Sequence, residues 1–363
     1  MSRFTLWILL LLSSPLLACP FCNPGESDLF SDVAGAQAVV LVNKVDTRKY
    51  KVVETLRGTV KPGRVVVAAE PKGKLGKKGQ LVLTTAGPPK LPYWSDAPRV
   101  LTARELAFCK TSLRMSRKSQ SEQWDFAARN LQDPSTEISA AGYNILAAAP
   151  LKEVQSRASI VGTHKLISWI KNPKIAPERR ALYLLMVYRS WPKADRSWLQ
   201  QALFEKGLPS SSSLTGPLAV AYLHSYGAPG VKRIEDTFYK SDFPAGRTTP
   251  MNRALTLVAE QSRDQALKMG VKNLFIRELD HPQRGAFALA PLAIWQEQTP
   301  WPKVEKLFQN NSNVTWIKVA AIRYFRSFNN SKAKASLQRL RRQDPGLVDR
   351  TDDGYRRSDL GVD

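Results

Sequence analysis

Two cysteines three positions apart, in Cys19-Pro20-Phe21-Cys22, are the residues of this chain best placed to do chemistry. Cysteines at this spacing can cycle between dithiol and disulfide. An efficient exchange site needs a strand before the pair and a helix after it, so that the helix N-terminus lowers the pKa of the first thiol. Here an export signal comes before the pair and the turn Asn23-Pro24-Gly25 comes after it. Haem attachment would require histidine where Asn23 stands. Thiol–disulfide redox chemistry at Cys19 and Cys22 is therefore the alternative reading, not the leading one.

The stretch ahead of the pair decides its compartment. Arg3 supplies a positive charge, Phe4 to Leu12 is apolar apart from Thr5, and Ser13-Ser14-Pro15 breaks the run before the small residue Ala18. These are the parts of a secretory signal over residues 1–18, and the run falls short of the roughly 20 apolar residues of a membrane span. Leu16-Leu17-Ala18-Cys19 also resembles a lipobox, with Leu17 bulkier than usual, so simple cleavage and lipidation of Cys19 both stay open. The third cysteine, Cys109, must be fitted to either route. A lipidated Cys19 with a Cys22–Cys109 disulfide accounts for all three residues in an oxidising compartment and is preferred. A Cys19–Cys22 redox pair would leave Cys109 over.

No other constellation carries chemistry. His164, His224 and His281 are the only histidines, and none has a ligand partner at metal spacing. His224 lies among Tyr222, Leu223 and Tyr226 as a core or rim residue, and His281 reads as a helix cap. The basic run from Pro71 to Gly79 lacks the ending of a phosphate loop and has no helix after it. It reads as a hairpin loop in which Lys72, Lys74, Lys77 and Lys78 can touch an anionic surface. Ser210 to Ser213 lacks a nucleophile elbow, and Asp352-Asp353-Gly354 lacks the rest of a calcium loop. No catalytic residue, cofactor or metal is expected.

The chain has 363 residues and a net charge of +23 at pH 7. Export turns that charge away from nucleic acid and toward anionic lipid, acidic glycan or cell-wall polymer. The basic residues are nevertheless spread along the chain, which favours a solvated surface. No specific small molecule is expected.

Ser27 to Val33 reads as a short helical turn, and four β runs follow: Ala38 to Val42, Tyr50 to Leu56, Arg64 to Ala69 and Gln80 to Thr85. Turn residues separate them, which points to a small antiparallel barrel or sandwich, OB-like, over 19–101. Pro88-Pro89, Pro92 and Pro98 make a stiff connector around Tyr93-Trp94. Thr102 to Glu105 is a capping box that opens the helix carrying Cys109. Asp133-Pro134 reads as the cap of a later helix. Over 102–346, short helical stripes recur in pairs at about 40 residues, the spacing of a HEAT-like α-solenoid. Residues 347–363 read as a polar tail. The fold class is α+β and multidomain.

Ala18-Cys19-Pro20-Phe21-Cys22, Ala36 to Val42, Trp169 to Pro173 followed by Pro177 to Tyr183, and the segments Ala290 to Phe308 and Val314 to Phe328 carry a resemblance. The chain is similar over most of its length to a group of uncharacterised exported bacterial proteins, best represented in planctomycetes. That resemblance implies the compartment and a HEAT-like fold, and no activity. The expected function is a non-enzymatic envelope scaffold that presents a basic helical surface to a protein or an anionic polymer, anchored to the membrane if Cys19 carries lipid.

Overall fold

The computed structural model describes residues 19, 21–25, 28–71, 80–86, 93–94, 97–204, 213–239, 245–310 and 314–351. The chain forms two compact units, one ending at Val187 and the other beginning at Tyr188.

In the first unit, β1 (Val39–Asp46), β2 (Lys49–Arg57), β3 (Val65–Val67), β4 (Gln80–Ala86), β5 (Tyr93–Trp94) and β6 (Arg99–Leu101) build a nearly closed, barrel-like antiparallel sheet. The order is β3-β2-β1-β4-β5, with β6 also on β4. Alternation along the strands sorts the two faces. Val40, Val42, Tyr50, Val52, Val66, Leu81 and Leu83 fill the inner face. On the outer face Val39 and Val82 join Leu101 and the side chains of three helices.

Those helices are α1 (Leu29–Gly35), α2 (Ala103–Met115) and, past α3 (Gln120–Asn130), α4 (Thr136–Ala147). Asp28 caps α1 by accepting from Phe30 N and Ser31 N. The capping box that opens α2 is present: Glu105 N donates to Thr102 Oγ1, and Thr102 N donates to Glu105 Oε2 at 2.8 Å. Two glycines set close approaches. A Cβ on Gly58, whose φ is +92°, would lie 2.8 Å from the Gln37 carbonyl, and one on Gly142 would lie 2.9 Å from the Ala127 carbonyl. The second lets α3 and α4 touch backbone to backbone. The unit ends with α5 (Leu151–Ser156), α6 (Ala158–Val161), α7 (Thr163–Lys171) and α8 (Pro177–Val187).

The structure departs from the sequence expectation at four places. The stiff connector contains two short strands, because Tyr93–Trp94 and Arg99–Leu101 find unused backbone groups on β4. The first compact unit runs to Val187 and not to residue 101, since α1, α2 and α4 cover the outer face of the sheet. The cap of α4 is Ser135, with Asp133 accepting from Ser135 N one turn earlier. The expected polar tail starts too early at 347, because Leu347 and Val348 are buried. The proposed signal, most of the Pro71 to Gly79 loop and residues 352–363 lie outside the described residues.

The second unit is helical: α9 (Arg196–Phe204), α10 (Thr215–Tyr226), α11 (Ala228–Phe238), α12 (Ala245–Gln261), α13 (Gln265–Glu278), α14 (Gly285–Ile294), α15 (Trp301–Asn310), α16 (Thr315–Arg326) and α17 (Ser331–Gln343). Consecutive helices pack on each other, except α14 on α15. Next-but-one helices also pack, with α10, α12, α14 and α16 in one row. The α10 and α14 members of that row are apolar nearly all round, as helices with neighbours on several sides must be. In α11, α15 and α17 the buried residues recur at helical spacing, and one side faces water. Among the described residues no helix is long and apolar enough to cross a membrane.

Candidate functional site

The cysteine pair forms a tight turn. Cys19 and Cys22 are joined by a disulfide with their Cα atoms 5.2 Å apart, and Cys22 N donates to the Cys19 carbonyl at 3.1 Å. The expected Cys22–Cys109 pairing is therefore overturned. Cys109 is a free thiol on the core face of α2, packed with Leu29, Val33, Phe108 and Ile138. Burial pushes it up to about 11, so it stays protonated and acts as a small apolar side chain. In this form the Cys19 sulfur is engaged and has no valence for a lipid thioether.

Exposure decides how the disulfide can react. Cys19 is only 3% exposed, whereas Cys22 is partly open to solvent. An incoming thiolate would meet the Cys22 sulfur and expel Cys19 as a thiolate into a buried position. Burial makes that a poor leaving group. No helix starts at the turn, since α1 begins only at Leu29.

The segment after the disulfide is pinned to α4. The Tyr143 hydroxyl, held protonated by burial, donates to the Asn23 carbonyl at 3.3 Å. Gly25 N donates to Asn144 Oδ1 at 2.9 Å, and Asn144 Nδ2 donates to Asp28 Oδ2 at 3.0 Å. Asp28 thus spends both carboxylate oxygens on structure, one on the start of α1 and one on α4.

A cleft of about 600 Å³ opens beside this segment, walled by Pro24 and Gly25, by α1, and by α3 and α4. The sequence of α3 explains its floor. Ser119 and Glu122 form a capping box, with Ser119 Oγ accepting from Glu122 N. A helix started there carries Gln120, Gln123 and Trp124 at i, i+3 and i+4, on one face. All three line the cleft. The Trp124 ring is backed by the Arg157 guanidinium, 5.2 Å from its centroid. Arg157 is in turn fixed by Asp125 Oδ1 at 3.1 Å, Ser121 Oγ at 2.6 Å and the Glu153 carboxylate. Gln123 spends its Nε2 on the Lys118 carbonyl and keeps Oε1 as an acceptor. The Gln120 amide has no partner among the described residues. Asp28 is the only charged residue on the cleft wall among them. The arrangement offers a fixed aromatic plate with neutral donors and acceptors beside it, and nothing that attracts an anion or a metal.

The remaining candidates do not converge here. His164 and His224 are exposed on separate helices, with His224 edge-on to Tyr188. His281 Nδ1 accepts from Gln283 N and Arg284 N, so that histidine does cap a turn. No group of three or more His, Cys, Asp or Glu that could hold a metal occurs among the described residues. Lys72, Lys74, Lys77 and Lys78 lie outside the described residues. Sequence reasoning missed the cleft, although the capping box followed by glutamines and a tryptophan on one helical face was readable. No protein-family model, no curated protein and no solved structure matches this chain.

Proposed function

We propose that this chain is an exported envelope binding protein without catalytic activity, and that its cleft holds a run of neutral sugar units of an envelope polymer. The observation that carries the reading is the Trp124 plate with the Gln120 and Gln123 amides beside it, in a cleft whose described residues include no unpaired charge. Sugar rings stack their C–H faces on indole, and their hydroxyls pair with neutral amides. The net charge of +23 supplies long-range attraction to anionic polymer, and the cleft supplies the short-range contact. The strand order β3-β2-β1-β4, with β5 and β6 after it, supports an OB-like barrel. The next-but-one packing of α10 to α17 supports a HEAT-like solenoid, and both agree with the exported bacterial group that the sequence resembles.

The test is titration of the full mature chain with a panel of neutral oligosaccharides, followed by tryptophan fluorescence. A panel member should bind, and Trp124→Ala should weaken it by about tenfold, or about 1.4 kcal/mol. Absence of binding across the panel, or binding that Trp124→Ala leaves unchanged, would sink the reading.

Thiol–disulfide exchange is the second reading, supported by the Cys19–Cys22 disulfide and the partly open Cys22. Reduction of the mature protein by a glutathione couple measures it. A disulfide that survives cytosol-like poise is structural, and one that exchanges within seconds at neutral pH is redox-active. Intact mass of the same sample reads whether Cys19 begins the mature chain and whether it carries lipid.

A further inference from the structure

Helices cover the outer sheet face over β1, β4 and β6 and over the Leu56–Arg57 end of β2. The rest, around Val53 of β2 and along β3, is bare, with Val53, Val65 and Val67 51%, 53% and 61% exposed. Among the described residues β3 has no neighbour on its far side. Its pairing with β2 fixes which backbone groups point that way. Val52 N donates to the Arg64 carbonyl and Ala68 N to the Arg48 carbonyl, with Tyr50 opposite Val66 between them. The Arg64 carbonyl, the Val66 peptide groups and the Ala68 N–H therefore turn toward β2, and Val65 and Val67 turn their peptide groups outward. Two residues present both an open backbone edge and an apolar side chain in water.

The charges around this edge are of one sign. Arg48, Lys51, Lys61 and Arg64 are exposed and have no carboxylate partner among the described residues. The nearby acids are taken: Asp46 by Lys49, Glu54 by Lys110 and Glu70 by Lys44. Edge strands are commonly protected by a charge on the strand itself, and Val65–Val67 carries none. A second copy of the chain would set the same cations against each other.

We propose that β3 is a docking edge for an extended acidic segment of another protein, which adds to the sheet as a strand beside Val65–Val67. Backbone pairing at Val65 and Val67 would give the register. The valines would take alternate side chains on the outer face, and the four cations would pair with acidic residues on either side. The surface is separate from the cleft, and either can fail without the other.

The test uses the full mature chain and two end-capped eight-residue peptides, one alternating valine with glutamate and one alternating valine with lysine. Fluorescence anisotropy at low salt should show the glutamate peptide binding at least about tenfold more tightly, with the gap shrinking as salt rises. Hydrogen exchange should show new protection at the Val65 and Val67 amides. Val65→Pro removes an outward N–H and leaves the bonds to β2 in place, so it should weaken binding about tenfold. Lys51→Glu with Arg64→Glu should invert the preference between peptides, and decides the matter if the proline variant does not fold. Equal binding of the two peptides, protection elsewhere, or a folded Val65→Pro variant that binds normally would overturn the proposal. So would a dimer in sedimentation that protects the same amides without peptide.

Discussion

Among the described residues each compact unit buries one arginine, and the two are held in different ways. Arg157 in the first unit meets Asp125 and Glu153, whose side chains stay 39% and 33% exposed. Arg284 in the second unit pairs at 2.9 Å with Glu278, whose side chain is 10% exposed, and also donates to the Tyr239 carbonyl. The Tyr239 hydroxyl continues this network to Asn252 Oδ1. One guanidinium therefore has counter-ions that water can still reach, and the other has a counter-ion, Glu278, that is itself buried. A buried pair gains little over an apolar core, yet breaking it leaves a charge that nothing hydrates. The position of the counter-ion, more than the residue type, sets what each site contributes.

Glu278→Ala should break the comparison most visibly. It removes the Glu278 carboxylate from the buried Arg284 guanidinium and should cost about 3–5 kcal/mol. Hydrogen exchange read peptide by peptide would show protection lost across α11 to α14 and little change before Val187. Replacing both partners, with Glu278→Leu and Arg284→Met, should recover most of that loss. If the single change costs under about 1 kcal/mol, the buried pair is not what holds these helices.

The pH dependence of Glu297 sharpens the contrast within the second unit. Burial alone would raise its carboxyl, but hydrogen bonds from Lys272 and Thr299 outweigh burial and bring it down to about 2. A depressed carboxyl contributes stability above its unfolded value near 4.5, and loses it as pH falls toward 2. The gap in unfolding free energy from urea titration between the parent and Glu297→Gln should therefore be widest above about pH 5, of the order of 1–2 kcal/mol after screening, and close on acidification. Glu278 has the opposite sign. Burial outweighs Arg284 there and holds the carboxyl above its ordinary range, so its contribution declines as pH rises through that raised value. A gap at Glu297 that grows on acidification would refute the assignment.

Asp125→Ala should have the smallest effect, about 0.5–1 kcal/mol, because Arg157 keeps Glu153 and Ser121 and the lost partner is half in water. It should also loosen the backing of Trp124. A modest drop in oligosaccharide affinity alongside a nearly unchanged urea midpoint would tie Arg157 to the cleft and not to the core.

Much of the fold was legible because it is local. Short apolar runs between turn residues marked β1, β2 and β4, and the Thr102–Glu105 box marked the start of α2 where it lies. Helical stripes marked most of the second unit. The two- and three-residue strands β5 and β6 have no pattern of their own and exist through pairing with β4. The candidate site was much less legible. Its wall joins Gly25 to Asn144, 119 positions apart, through one hydrogen bond, and no local signal reports such a contact. The cysteine pairing was misjudged for a related reason. Counting thiols favoured a bridge from Cys22 to Cys109, but side-chain direction on α2 turns Cys109 into the core and leaves Cys22 next to Cys19.

The sequence by itself determined that the strands precede the long run of helices from α2 onward, the caps that start α2 and α3, and the alternation that gives the sheet an inner and an outer face. These depend on neighbours within a few residues, where periodicity and hydrogen-bond geometry leave few choices. Only the tertiary structure decided which thiols meet, where the first unit ends, that Arg157 backs Trp124, and that the outer face along β3 stays bare. Those outcomes depend on which surfaces remain to be covered after the helices have packed. That is a property of the whole core and of no single stretch of chain.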